Sequence, residues 1–321
     1  MHGKYTMWSL LTAIMLASSP SAQAEPANHR LYTESIAGFR YNPIGLQVRS
    51  TLYSRHRLLD RPSDDVLFGD TWVGIGPTFA ASPAFIRGGV EARVVPIAVL
   101  RLTARWEGMR YFGSFDQLLS WSATEVPLEE ETALSVCETD PSLCGPVDYS
   151  EGAMDELSAQ GLHYATGGWQ AMGEARLQAK AGPIAIRNTT GAYLTKVDLQ
   201  DGDTVFYDQT FDILMANGGW TLVNDADLLF VGIDQWTFGV RHSAVHAMHG
   251  DDSEADAWTQ RAGPLVARAF KGSRTFKKPT VYVLPQWWLQ HSYRTGAESS
   301  QAIPQIIVGL GWSGDLLAKG G

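Results

Sequence analysis

Two cysteines are all that a chain of 321 residues contains. A small scaffold held by many disulfides is therefore excluded. Positive charge is also short: 25 Lys and Arg face 34 Asp and Glu, a formal charge of −9. That balance argues against a nucleic-acid partner. Beyond the first residues there is no apolar run of 18 or more, so no second helical membrane span is expected. Helical periodicity is scarce throughout. No Gly-rich loop follows a strand and opens a helix, so nucleotide binding has no support. "GIGPTF" and "GLGWSG" read as glycines within strands, where a bulge or close backbone approach is the usual cause.

The start of the chain is a separate matter. Lys4 precedes an apolar stretch from Met7 to Ala17, and Ala22-Gln23-Ala24 stands before Glu25. This is a secretory signal peptide over 1–24 with an A-x-A cleavage site. The apolar run is too short to span a bilayer, and no cysteine lies near the cleavage site to carry a lipid. Export places Cys137 and Cys144, in "CETDPSLC", in an oxidising compartment, and they read as one disulfide closing a surface loop. A metal site is disfavoured, because no second Cys or His pair accompanies them.

What is abundant is alternation. In "VLRLTARWEG", Leu100, Leu102, Ala104 and Trp106 take every second place, with Arg101, Thr103, Arg105 and Glu107 between them. Ile86–Val94, Leu46–Arg55, Trp169–Lys180 and Ile184–Tyr193 repeat the pattern. So do Asp208–Met215, Asp225–Phe230, Trp236–Ser243, Val281–Arg294 and Gln305–Trp312. With Gly69–Ala81 and Trp258–Lys271, about twelve strands result, many of about 10 to 14 residues. Globular strands average about 5 to 6 residues; a tilted bilayer-crossing strand needs about 9 to 11. The expected fold is all-β, a closed antiparallel transmembrane β-barrel of about twelve strands with long acidic loops. Its expected divisions are the signal peptide 1–24, an N-terminal periplasmic segment 25–43, the barrel 44–313 and a tail 314–321.

Tight connections lie at "SPA" (82–84), "VPI" (95–97), "AGP" (181–183) and "NGG" (217–219), and long polar ones elsewhere. Two tight turns, at Pro83 and Pro96, flank one strand. Either one external loop is short or a further strand lies near Leu31–Tyr41. A soluble β-sandwich would also alternate. Against it stand the strand lengths, faces rich in Gly and Ala, and aromatics near strand ends (Trp106, Tyr111, Phe112, Trp236, Trp287 and Trp288).

In a barrel the polar face looks into the lumen. The expected lining is Arg49, Arg87, Glu91, Arg93, Arg101, Arg105, Glu107, Glu174, Arg176, Arg187, Asp208, Asp212, Asp225 and Asp227. The arginines come from the early strands and the aspartates from the seventh and eighth, so the lumen is expected to be charge-divided. Two readings stay open. Touching walls would form ion pairs and a structural plug; walls parted by water would form a pore crossed by a transverse field.

"NPIGLQVRSTLYSRHRLL" and "ASPAFIRGGVEARVVPIAVLRLTARWEGMRYFG" resemble the opening strands of uncharacterised outer-membrane β-barrel proteins of Gram-negative bacteria. The resemblance is one of layout over most of the mature chain. It implies an outer-membrane location, contact with outer-membrane lipids and insertion by the barrel assembly machinery. That machinery prefers a last strand ending in an aromatic. Here "IIVGLGW" reaches Trp312, but "SGDLLAKGG" follows.

Some barrels of this kind are lipid-modifying hydrolases, and "RHSAVHAMHGDD" holds the residue types of a Ser/His/acid set. Adjacent strand residues point to opposite faces, which separates His242 from Ser243. His242 and His246 share the side of Trp236 and Phe238, and four strand residues span about 13 Å, too far for one metal ion. The acidic stretches 127–132, 198–203 and 249–257 lack EF-hand spacing and read as solvated loops. No catalytic residue, metal or cofactor is expected. The leading expectation is a pore for small polar or charged solutes. The alternatives are a plugged structural or surface-interaction barrel and a lipid-active enzyme. The excursion 113–163 is the candidate constriction at the mouth.

Overall fold

The computed structural model describes residues 29–62, 65–114, 120–121, 163–248, 257–273, 276–291 and 302–317. The signal segment, Cys137, Cys144 and the acidic stretches 127–132 and 249–256 lie outside the described residues.

Fifteen strands are described. They are β1 (His29–Tyr41), β2 (Gly45–Arg57), β3 (Trp72–Ala81), β4 (Phe85–Ile97), β5 (Leu100–Phe112), β6 (Ser120–Trp121), β7 (Ala165–Ala181) and β8 (Ile184–Val197). β9 (Val205–Asp208), β10 (Ile213–Ala216), β11 (Trp220–Ile233), β12 (Trp236–Ala247), β13 (Ala257–Ala269), β14 (Lys277–His291) and β15 (Gln305–Asp315) follow. Twelve form a closed antiparallel barrel in the order β1-β15-β14-β13-β12-β11-β8-β7-β5-β4-β3-β2. Closure is made by β1 against β15, paired from Tyr32↔Asp315 to Tyr41↔Ile306. The remaining three form a small sheet, β10-β9-β6.

Both ends of the described wall, at His29 and Asp315, lie at one rim. That rim also carries the two-residue links 98–99, 182–183 and 234–235, with 58–71 and 270–276. The opposite rim has short turns at 42–44 and 82–84 and the long connections 113–164, 198–219, 248–256 and 292–304. Short turns mark the periplasmic end of an outer-membrane barrel and long loops the outer end.

Alternation sorts the residues as the sequence implies. Ile75, Val90, Leu102, Trp106, Leu228 and Val240 are exposed on the outside. Arg87, Glu91, Arg93, Thr103, Glu107, Arg176, Arg187 and Asp227 are buried within. Polar outward groups find partners across strands, as Ser35 and Ser50 do at 2.8 Å. Some inward positions must be glycine. At Gly89 a Cβ would overlap the Trp106 carbonyl oxygen and approach the Glu107 Cα to 2.7 Å, so the backbones meet there without a side chain between them.

Four expectations need correction. The stretch 25–43 is not a periplasmic segment, because β1 occupies His29–Tyr41 inside the wall, and the wall runs on to Asp315 rather than 313. Asp208 and Asp212 are not on a wall strand; they belong to the β9–β10 hairpin. The alternative strand near Leu31–Tyr41 is β1, and it takes the place of the 208–215 segment in the total of twelve wall strands. Pro96 is not at a turn. It sits inside β4 at an irregularity between Val94 and Ile97, where the ladder needs no donor from it. Tyr111, at 2% exposure, and Trp288, which pairs with the inward Arg261, face inward; Phe112 and Trp287 beside them are the outward residues.

Val90 lies near the middle of β4, opposite Trp106. Val90→Arg is expected to lower the unfolding free energy by about 2–4 kcal/mol, the cost of a guanidinium at the bilayer midplane. Urea titration in lipid vesicles measures it. A cost near zero would mean that water, not hydrocarbon, covers this face.

Candidate functional site: the barrel lumen

Alternation forces a polar interior, and that interior is stacked in three levels. The outer level is the hairpin β9–β10 with its turn. It leaves the wall after β8 and returns before β11, and it is folded into the mouth. Val205, Phe206, Tyr207, Ile213, Leu214 and Met215 pack with Phe85, Met109, Tyr111, Val197, Val245 and Ala247 from the wall. The hairpin reaches across the lumen. At its tip Arg40 of β1 donates from Nη1 to the Thr210 carbonyl (3.0 Å) and from Nη2 to the Gln209 carbonyl (2.5 Å). Asp212 Oδ2 lies 3.3 Å from His291 Nε2 of β14, and Tyr207 donates to Asp212 Oδ1 at 2.5 Å. Asp208 Oδ2 lies 3.8 Å from Arg87 Nη2 of β4. At its base Asn217 donates to the Val197 carbonyl (2.9 Å) and accepts the Val197 N–H (2.8 Å). β6 adds a third strand through Ser120↔Phe206 and Trp121↔Val205. Tyr164 ties these loops together: its hydroxyl meets Ser120 Oγ at 2.6 Å and accepts the Gln200 N–H at 3.1 Å. Burial raises the Tyr164 phenol above its ordinary range, so it stays neutral.

The middle level is charged. On one side Arg93 binds Glu34 across the lumen (2.5 Å) and Glu91 (2.5 Å). Arg105 joins Glu91 (3.3 Å) to Glu107 (3.2 Å), and Arg49 of β2 reaches Glu107 of β5. Arg101 and Arg176 share Glu174 Oε1 at 3.4 and 3.2 Å. On the far side Asp227 lies between Arg187 (Nε, 2.9 Å) and Arg241 (Nε, 2.8 Å). Asp225 accepts from Ser243 at 2.5 Å and lies 3.5 Å from Arg241. A cavity of about 150 Å³ opens in this level against Arg49, Arg93, Arg101, Arg105, Glu174 and Arg176.

The inner level, toward the periplasmic rim, is apolar and aromatic. Tyr53 stacks on Trp72 at 5.6 Å, with the Arg55 guanidinium 4.6 Å over the indole. Leu229, Leu265 and Leu284 form a second cluster.

The expected wall residues Arg49, Arg87, Glu91, Arg93, Arg101, Arg105, Glu107, Glu174, Arg176, Arg187, Asp225 and Asp227 do face the interior. The charge-divided lumen does not survive. Each arginine-rich patch carries its own carboxylates, Glu34, Glu91, Glu107 and Glu174, and the aspartates pair with Arg187 and Arg241 beside them. Sequence reasoning missed Glu34, which lies on the hidden strand, and Arg40, Arg241 and His291. The obstruction of the mouth is built mainly by the hairpin of 198–219; of the described residues of 113–163, Ser120 and Trp121 join it as the third strand of its sheet. His242 faces outward, 3.3 Å from Gln260, while Ser243 faces inward to Asp225. Strand alternation thus keeps the candidate Ser/His pair on opposite sides of the wall.

A closed, even-stranded antiparallel barrel with an apolar exterior is the architecture of an outer-membrane protein, and the chain is an outer-membrane β-barrel. No family model and no curated protein matches it. Solved structures similar in outline include a KdgM porin, at 9% identity and TM-score 0.36, over 88% of this chain and 97% of that one. Others are the β-domain of the Bordetella autotransporter BrkA (11%, TM-score 0.41, over 90% and 100%) and OccAB1 of Acinetobacter baumannii (8%, TM-score 0.37, over 90% and 97%). At such scores none of them carries an argument about what this chain does.

Asp227 compensates two buried guanidiniums. Asp227→Ala is expected to cost about 3–5 kcal/mol, the penalty for leaving buried charge without its partner. Loss of the folded band at a lower temperature on heated gels checks it, with Asp201→Ala in the exposed outer loop as the control expected to change nothing.

Proposed function

We propose that the chain is a narrow channel for small polar or charged solutes, held closed at its outer mouth by the hairpin 205–216. The observation that carries this reading is the middle level. It keeps an open cavity walled by charged groups, where a purely structural filling would be packed. Solutes would enter past the hairpin, cross the charged level and leave beside the aromatic and leucine clusters. The outer-membrane lipids, the assembly machinery and a small solute are the partners that this role requires.

A second reading, a permanently plugged structural or surface-interaction barrel, is favoured by the hairpin itself. Its apolar side chains are almost fully buried, and its tip is tied to both β1 and β14. The two readings differ in what happens when the hairpin is removed. Thr204 and Asn217 are already hydrogen-bonded at 2.8 Å, so a short glycine link can replace 205–216 without moving the wall.

In planar bilayers the intact protein is expected to show small, infrequent openings. The shortened protein is expected to conduct steadily and severalfold more. Arg40→Ala, which removes the two bonds to the turn carbonyls, is expected to lengthen the openings of the intact pore. Silence from all three, with heat-modifiable folding retained, would favour the plug.

A further inference from the structure

Arg101 and Arg176 stand directly opposite each other on β5 and β7. Like charges in register repel, and one carboxylate, Glu174, bridges them. That bridge uses one N–H group of each guanidinium. Arg176 Nε donates to Thr189 at 3.0 Å. What is left over points to a ligand. Arg101 Nε and Nη1, Arg176 Nη1 and Thr103 Oγ1 are all buried and have no hydrogen-bond partner among the described residues. Arg101, Thr103 and Arg176 all line the cavity. The Arg176 side chain is 9% exposed, so bulk water does not satisfy it cheaply.

The charge around the cavity has the same sense. Five arginines line it (Arg49, Arg93, Arg101, Arg105 and Arg176), against Glu34, Glu91 and Glu174. Glu107, which pairs with Arg49 and Arg105, brings the acids to four and leaves one positive charge in excess. Buried donors without acceptors are costly, the more so when charged. Guanidinium forks match the oxygens of an oxyanion in both charge and geometry. A cavity of about 150 Å³ holds a molecule the size of benzene, and so has room for a phosphate-sized group.

We propose that the Arg101–Thr103–Arg176 wall of the mid-lumen cavity binds one small oxyanion of phosphate or sulfate size. The anion accepts from Arg101, Arg176 and Thr103 and neutralises the excess positive charge. The site gives the channel a resident selectivity station for anions, and in that role it rests on the channel reading. The binding itself does not require conduction.

The test is calorimetric titration of the full barrel in detergent with inorganic phosphate, at ionic strength matched with chloride. Saturable binding of one phosphate per chain is expected. Thr103→Val, which removes one neutral donor, is expected to weaken it about tenfold. Arg101→Gln with Arg176→Gln is expected to weaken it about a hundredfold or more. Heat-modifiable migration checks that each variant is folded; should the double variant not fold, Thr103→Val decides. No phosphate heat beyond the chloride control, or unchanged affinity in the folded variants, overturns the site. Phosphate binding without conductance in the hairpin-deleted protein keeps the site and removes the channel. Conductance without phosphate binding does the reverse.

Discussion

The pairing of β1 with β15 is the contact on which the remaining structure depends. In hydrocarbon an open sheet edge leaves N–H and C=O groups unpaired, at several kcal/mol each. Ten residue pairs along this seam, Tyr32↔Asp315 to Tyr41↔Ile306, remove both edges at once. Closure then fixes everything inside. Each strand shows alternate residues to the lumen, so a lipid-compatible exterior leaves the charged half of every strand enclosed. Those enclosed charges must find one another. The lattice from Arg49 through Glu107, Arg105, Glu91 and Arg93 to Glu34 is the consequence, and it binds β2, β5, β4 and β1 across the lumen.

The wall was legible wherever one face stayed apolar. Leu100–Phe112 and Phe85–Ile97 show this, with residues of opposite parity sorted inside and out as their alternation implied. The first strand was legible only as an alternative near Leu31–Tyr41, raised by the turn spacing and not by its own pattern, because Thr33 and Ser35 interrupt its outward face and Ile36 its inward one. Ser35 is tolerated there by its bond to Ser50, a partner on another strand that no local pattern reveals. The hairpin was misread for the opposite reason. Asp208, Thr210 and Asp212 alternate with Phe211 and Ile213, yet Asp212 adopts a left-handed φ of 58° and closes a turn between two four-residue strands. Period-two patterning does not distinguish a wall strand from a hairpin folded inside the wall.

The site was legible as a set of charges and illegible as a set of partners. Which arginine meets which carboxylate depends on shear and on irregularities in the ladder. The irregularity opposite Gln260 and Arg261 is an instance. Gln260 pairs with Gln290 but Arg261 with Trp288, so one residue of β14 is skipped and the parity of the strand reverses. His291 is thereby turned inward to Asp212, while Gln290 faces out to bond Gln260 at 3.0 Å. Uniform alternation along β14 would reverse both assignments.

Buried ion pairs are a costly way to fill a tube, since hydrophobic groups of equal volume often stabilise as well or better. Their retention along so many strands has a reason in assembly as well as in function. A strand apolar on both faces would have no preferred register in a bilayer, because a slip of one residue would leave lipid against equally acceptable side chains. With Arg87, Glu91 and Arg93 on one face of β4, the same slip drives three charges into hydrocarbon. Each arginine then costs about 2–4 kcal/mol near the midplane, and a carboxylate somewhat less. Each pair along the lumen therefore also opposes misregistration of its strand. Glu34, Arg93 and Glu91 together hold β1 and β4 in place although neither strand touches the other in the wall. An interior lined by charge follows from the same inward face that specifies how the barrel closes.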